Sequence, residues 1–221
     1  MPKLSLKTQN VVPLSMLIVF QCALAYALSA GDMNALSEKL IATKSPLILL
    51  IGVLAGWLSY MVPTSVKNSM VFLRLKHALP GHRFIQLSER DPRIDEQNLR
   101  ASIPEYLALK ADHKNQNRYW YNQIYRPIVD DREVSSSHKS YLLYRDAASV
   151  SVVLILCLLI ASLFLPMVKG VLTTGFVAVM VACSIGFVVA ANIAGKRFVT
   201  TTVAIYLAGP VTVKNVSTSS D

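Results

Sequence analysis

Charge is scarce in this sequence, and where it is missing says more than the total. Only 16% of the 221 residues are Asp, Glu, Lys or Arg, against about 25% in an ordinary soluble domain, and mean hydropathy is positive at +0.44. No Asp, Glu, Lys, Arg or His occurs in Thr8–Gly31, Ser45–Val66, Ala147–Val168 or Gly170–Gly195, gaps of 24, 22, 22 and 26 residues. A helix needs about 20 apolar residues to cross a bilayer core, so every gap is long enough. These absences exclude a single water-soluble globule and predict four transmembrane helices.

Cysteine is nearly absent too. Cys22, Cys157 and Cys183 all lie within apolar gaps, which excludes a disulfide framework and a zinc site and leaves small packing residues. No phosphate-binding glycine loop, nucleophile elbow or paired-histidine zinc motif occurs. His77, His82, His113 and His138 are scattered along the chain. With no convergent acid–base or nucleophilic set in view, the chain is not expected to be an enzyme, and no metal or cofactor is expected. The apolar gaps hold no ionisable group of the kind that ion-coupled transporters place in the membrane. Their polar side chains are soft ones, Ser15, Gln21, Ser59, Thr173, Thr174, Ser184 and Asn192, which suit hydrogen bonds between helices or the lining of a wet path.

The charge that is present sits between the second and third gaps. Lys67 to Asp146 carries 14 of the 22 basic and 10 of the 13 acidic residues. The predicted organisation is residues 1–66 for an N-terminal tail and two spans, 67–146 for a cytoplasmic helical domain, 147–195 for a hairpin of two spans, and 196–221 for a cytoplasmic tail. The first gap is too long for a secretory signal's apolar core and is read as a membrane helix. Basic residues gather on the cytoplasmic face. Lys3, Lys7, Lys196, Arg197 and Lys214 group with the central segment, whereas Lys39, Lys44 and Lys169 fall on the other side. Both termini are therefore expected inside the cell, with the protein in the inner membrane.

Local patterns refine this picture. Leu36, Leu40 and Ile41 suit a helical turn lying at the outer interface. Pro166 to Gly170 reads as a tight hairpin in which Gly170 supplies the reversal. Val66, Met70, Leu73 and His77 recur at helical spacing, so the second span is expected to run on as a stalk to Pro80-Gly81. Asp91-Pro92 signals a helix through Leu99, and Pro104 a helix from Glu105 to about Tyr125 with a polar middle that also fits a loop. Ser135–Ser137 offers a cap for a stalk entering the third span. Residues 198–210 extend the fourth helix or pair as a strand, and Asn215 to Asp221 reads as disordered.

Two kinds of candidate site follow. Ala178, Ala182, Gly186, Ala190 and Ala194 recur every four residues, and Gly52 and Gly56 form a GxxxG pair. Such small residues let membrane helices approach closely, within one subunit or between subunits of a homo-oligomer. In the charged segment, Arg74, Lys76 and Arg83 belong to a basic cluster with His77, His82, Arg90 and Arg93. Arg118, Tyr119, Trp120 and Tyr121, followed by Tyr125 and Arg126, interleave aromatic rings with guanidinium groups. Guanidinium forks bind phosphate and rings stack on bases, so a nucleotide or short oligonucleotide is one expected ligand. Contact with anionic lipid and packing of a small bundle is the alternative.

With four spans, a central helical insertion and no catalytic residues, the chain resembles the small four-helix membrane effectors of bacterial antiphage defence. That resemblance implies an oligomeric effector, channel or pore in the bilayer, gated through its cytoplasmic domain. A membrane-anchored sensor or scaffold recruiting a soluble protein partner, or an accessory subunit of a transporter or envelope complex, is the alternative.

Overall fold

The computed structural model describes residues 5–30 and 46–209, and the elements are numbered over these. They are α1 (Leu6–Gln9), α2 (Val11–Ala30), α3 (Pro46–Met61), α4 (Thr64–Phe72), α5 (Phe84–Ser88), α6 (Glu96–Ser102), α7 (Tyr106–Ala111), α8 (His113–Tyr119), α9 (Arg132–Phe164), α10 (Pro166–Val171) and α11 (Thr174–Ala208). Every regular element among the described residues is helical. Three stretches are long and apolar enough to cross a membrane: Leu6–Leu28, Arg132–Phe164 and Thr174–Ala208. The last two form an antiparallel pair against which most of the other helices pack. The expected interfacial turn at Leu36–Ile41, Gly52's side of the GxxxG pair and the tail from Asn215 lie outside what is described at that level.

Where the sequence predicted one long second helix, the chain is broken twice. α3 has 16 described residues, Pro46–Met61. It ends before Pro63, which has no N–H to continue the ladder and instead precedes α4 in an extended conformation. α4 ends at Leu73, whose φ of 51° is left-handed, and no helix covers residues 74–79. The expected stalk from Val66 to Leu79 is therefore only α4. The stalk into the third span is continuous: α9 runs unbroken from Arg132 into the apolar stretch. Its cap is Asp131, accepting from the N–H groups of Glu133 and Val134, and not the serines at 135–137. A carboxylate is the better cap here because it also opposes the helix dipole.

Other boundaries shift for local reasons. Pro104 does not start a helix; Glu105 takes a left-handed φ of 52° and α7 follows. Asp112 interrupts the expected helix to Tyr125 by capping α8, accepting from Lys114 N and Asn115 N. The hairpin between the apolar helices is a short helix, α10, with Pro166 in its first turn and Gly170 helical. Thr173 then caps α11 through Phe176 N. Residues 198–208 continue α11 and form no strand.

The core has two ends. At the charged end, α4 to α8 wrap the facing turns of α9 and α11, burying Phe72, Phe84, Ile85, Trp120, Ile124, Tyr141, Phe198 and Val199 in one cluster. At the apolar end, α2 and α3 pack on α9 and α11 through Leu14, Ile18, Ala55, Val150, Phe176 and Met180. Gln21 crosses that interface: Ser151 Oγ donates to its Oε1 at 2.5 Å, and its Nε2 donates to the Met180 carbonyl at 3.0 Å. Asn192 Nδ2 donates to the Val71 carbonyl at 3.1 Å, tying α11 to α4. These soft polar groups join helices, while Ser15 only returns to the Val11 carbonyl of its own helix.

Two aromatic rings approach the backbone closely at Gly195. A methyl there would stand 2.7 Å from the Phe72 ring and 3.0 Å from the Tyr141 ring, both held in the core. Gly195→Ala is expected to destabilise the protein by about 1–3 kcal/mol through overpacking, measured by thermal unfolding in detergent. A neutral result would mean that the α4–α9–α11 junction is looser than described.

Candidate functional site

Where α3, α4 and α9 meet, three charged side chains are buried together. Lys67 Nζ donates to Asp146 Oδ1 at 3.0 Å, to the Ser59 carbonyl at 2.5 Å and to Ser59 Oγ at 2.9 Å. Arg145 donates to the same Asp146 oxygen from Nε at 3.2 Å and Nη2 at 3.0 Å. Their side chains are 2% (Lys67), 6% (Asp146) and 9% (Arg145) exposed. One carboxylate thus holds two cations out of water. Burial pulls the Lys67 ammonium below its usual pKa, and the attraction of Asp146 offsets only part of that. Asp146 comes from a chain position next to Arg145 but far from Lys67, so sequence spacing carried no sign of the cluster. Nearby, Lys7 Nζ lies 3.4 Å from the centre of the Tyr60 ring, adding a cation–π contact between α1 and α3.

Arg145 also reaches a cavity. A pocket of about 210 Å³ is lined by Arg145, Asn68, Trp120, Tyr121, Tyr125 and His138, with Phe198 and Tyr141 among its remaining walls. Tyr141 Oη donates to Asn68 Oδ1 at 2.9 Å, His138 stacks on Phe198 at 4.5 Å, and Tyr125 Oη shares a 2.9 Å hydrogen bond with His138 Nδ1. Trp120 is buried, stacked on Tyr125 at 5.4 Å with its edge to Phe198 at 5.3 Å. Its Nε1 has no hydrogen-bond partner among the described residues.

A second pocket, of about 190 Å³, shares Leu79 and Pro80 with the first. Arg74, Arg83, Lys196 and Asn192 line it, and no carboxylate does.

The predicted binding residues therefore divide. Arg74 and Arg83 come together, joined by Lys196 from the far end of the chain. Trp120 and Tyr121 line the neighbouring pocket. Tyr119 instead stacks on Phe84 at 6.2 Å. Lys76, Arg118 and Arg126 are exposed and border neither pocket. Of the small-residue positions, Ala178, Ala182 and Gly186 are exposed and Ala190 and Ala194 half-buried. Space for at least a Cβ is open at Gly56 and Gly186.

The histidines are less scattered than their numbers suggest. The His77 ring lies 5.0 Å from His82 and 6.0 Å from His113. No group of three side chains with metal-holding geometry occurs among the described residues. Burial lowers the His82 pKa, its hydrogen bond to the Leu79 carbonyl opposes the shift, and His77 and His113 add to it.

No protein family, curated protein or solved structure matches this chain.

Two measurements check this geometry. Asp146→Ala leaves two buried cations unpaired and is expected to cost about 3–5 kcal/mol. Lys67→Met leaves Asp146 paired with Arg145 and should cost clearly less; equal losses in thermal unfolding would contradict the shared-carboxylate arrangement. For His82 the folded pKa lies below the ordinary 6.5, so the unfolded chain takes up the proton first as pH falls. Stability from this group is full above 6.5 and declines below it. His82→Asn is expected to flatten that decline between neutral pH and about pH 5, read from melting temperatures; an unchanged slope would remove His82 as its source.

Proposed function

We propose that this protein is a homo-oligomeric membrane effector, a channel or pore, opened by a small phosphate-bearing ligand at its charged end. The observation that carries this reading is the pair of adjoining pockets. One presents Arg74, Arg83 and Lys196 without a carboxylate, suited to phosphate. The other is lined by the aromatic side chains of Trp120, Tyr121, Tyr125 and Phe198, suited to a planar ring system such as a nucleobase. Arg145 borders the aromatic pocket and also belongs to the buried cluster that joins α4 and α9 to α3. A ligand that pulls on Arg145 thereby changes the contacts holding α3.

In this reading α3, with residues preceding it, forms a fourth span, the charged end faces the cytoplasm, and the protein resides in the inner membrane, as in the antiphage effectors it resembles. Assembly uses the small-residue face of α11. That face is exposed around Ala178, Ala182 and Gly186, and a pore needs more helices than one subunit supplies: the soft polar groups Gln21, Ser151 and Ser184 are tied to one another inside it.

Gly186→Leu isolates the assembly claim, because a Cβ at Gly186 meets nothing within 4 Å in its own subunit. The variant should fold with wild-type stability yet lose oligomeric mass by light scattering; unchanged mass would overturn the packing role of this face. Conductance in a planar bilayer tests the function. Purified protein should conduct when nucleoside monophosphates are screened against it, and Arg74→Gln with Arg83→Gln should weaken the response about tenfold or more, since each charged hydrogen bond is worth about 1.5–3 kcal/mol. A bilayer that stays silent under every nucleotide, while cells leak only when a second protein is co-expressed, would replace the channel with a recruiting scaffold.

A further inference from the structure

On another face of the α9–α11 pair runs a groove of about 830 Å³ that shares no lining residue with the two pockets above. Its chemistry changes in order along both helices. On α11 the lining begins with Ala190, Ile193 and Ala194 within the charge-free stretch and passes to Arg197 and Thr201 beyond its end. On the antiparallel α9 it passes from Tyr144 through Ser140 and Ser136 to Arg132, a distance of about 18 Å at 1.5 Å per residue. The groove is therefore apolar toward the charge-free stretches, hydroxyl-lined past their ends and guanidinium-lined farthest from them.

The charges there are built in with differing freedom. Arg93 is fixed by Asp91, through Nε at 3.0 Å and Nη2 at 2.8 Å, and by the hydroxyls of Thr200 and Thr201 at 3.1 and 3.3 Å. That carboxylate takes up most of its charge. Arg132 and Arg197 are exposed and form no ion pair among the described residues. Glu133 is the acidic side chain in the lining. Two unpaired guanidinium groups beside several hydroxyls make a site for a phosphate group. The apolar part selects what carries that phosphate. Ile193, which lines the groove, is 61% exposed and continues the row of Ile185 and Val189, 59% and 51% exposed, along an exposed apolar face of the candidate span α11.

We propose that this groove holds an anionic phospholipid, its phosphate between Arg132 and Arg197 and an acyl chain along Ile193, Val189 and Ile185. Seated between the exit turns of α9 and α11, such a lipid bridges the two longest helices at the membrane boundary, independently of any ligand in the two pockets, which share no residue with the groove.

Native mass spectrometry of the purified full chain tests this with three probes: dioleoylphosphatidylglycerol, dioleoylphosphatidylcholine, and glycerol phosphate as the headgroup without chains. Wild type should retain phosphatidylglycerol in preference to phosphatidylcholine. Arg132→Gln with Arg197→Gln should reduce that retention about tenfold or more, whereas Arg100→Gln with Lys114→Gln, which removes the same charge elsewhere, should leave it unchanged. Ile193→Gln, at an exposed position and without charge change, should weaken retention of the lipid but not the response to glycerol phosphate. Equal losses in both double variants would reduce the effect to net charge and overturn the site. Glycerol phosphate bound as tightly as the lipid, with Ile193→Gln silent, would overturn the lipid assignment in favour of a soluble anion. A groove that retains no lipid and whose variants alter only the oligomeric mass would make it a subunit contact.

Discussion

Asp146 accepts hydrogen bonds from Lys67 and Arg145 in a setting from which water is almost excluded, and the side-chain link of α3 to α4 and α9 centres on it. Charges out of water are tolerated when their geometry is good and their remaining hydrogen-bonding capacity is used. Here Lys67 completes its set on Ser59 in α3. The consequence is geometric. α3 cannot be held by a continuous helix, because Pro63 has broken it, so the connection between an apolar segment and the charged end passes through side chains instead of backbone. Side-chain links of this kind have discrete alternatives, the property a switch requires. A rigid helix has none.

The two long helices supply the complementary part. α9 and α11 each carry an apolar stretch and a polar stretch without interruption, so both ends of the molecule share the same two rods. At the charged end these rods are clasped by aromatic rings, with His138, Phe198 and Tyr141 stacked across them. Gly195 admits Phe72 between them at a distance no other residue permits. At the apolar end, Gln21 does the equivalent work with hydrogen bonds, satisfying polar groups that hydrocarbon would leave unpaired. The pockets and the basic groove lie on different faces of this rod pair, so one end of the molecule offers two chemically distinct surfaces.

What the sequence made legible follows from which signals are local. Runs without charge marked α2, α9 and α11, and the continuity of α9 into its apolar stretch was readable because nothing between His138 and Ala147 breaks a helix. The breaks at Pro63 and Leu73 were missed for different reasons. Pro63 lies inside the charge-free run Ser45–Val66, where absence of charge says nothing of its missing N–H. Leu73 adopts a left-handed conformation that its residue type gives no reason to expect. Arg74 and Arg83 were found by proximity in sequence, but Lys196, which completes their pocket, is brought there only by α11. The same is true of the Lys67–Asp146 pair and of His113 beside His77 and His82: partners distant in sequence leave no spacing to read. Trp120 was recognised as aromatic in a basic setting. Its burial against Tyr125 and Phe198 depended on residues 198–208 being helix, the alternative left open between helix and strand.

The central claim is that α4 and the exit turns of α9 and α11 form one mechanical unit joined by the buried cluster. Native-state hydrogen exchange of the wild-type protein in lipid nanodiscs measures this most directly, because segments that open together share one opening free energy and one dependence on denaturant. The amides of Thr64–Phe72 are expected to exchange with the same free energy and the same denaturant slope as those of residues 138–149 in α9 and 192–203 in α11. If α4 opens on its own at a much lower free energy while the two long helices stay protected, the buried cluster does not couple the charged end to the membrane helices, and the gating account fails with it.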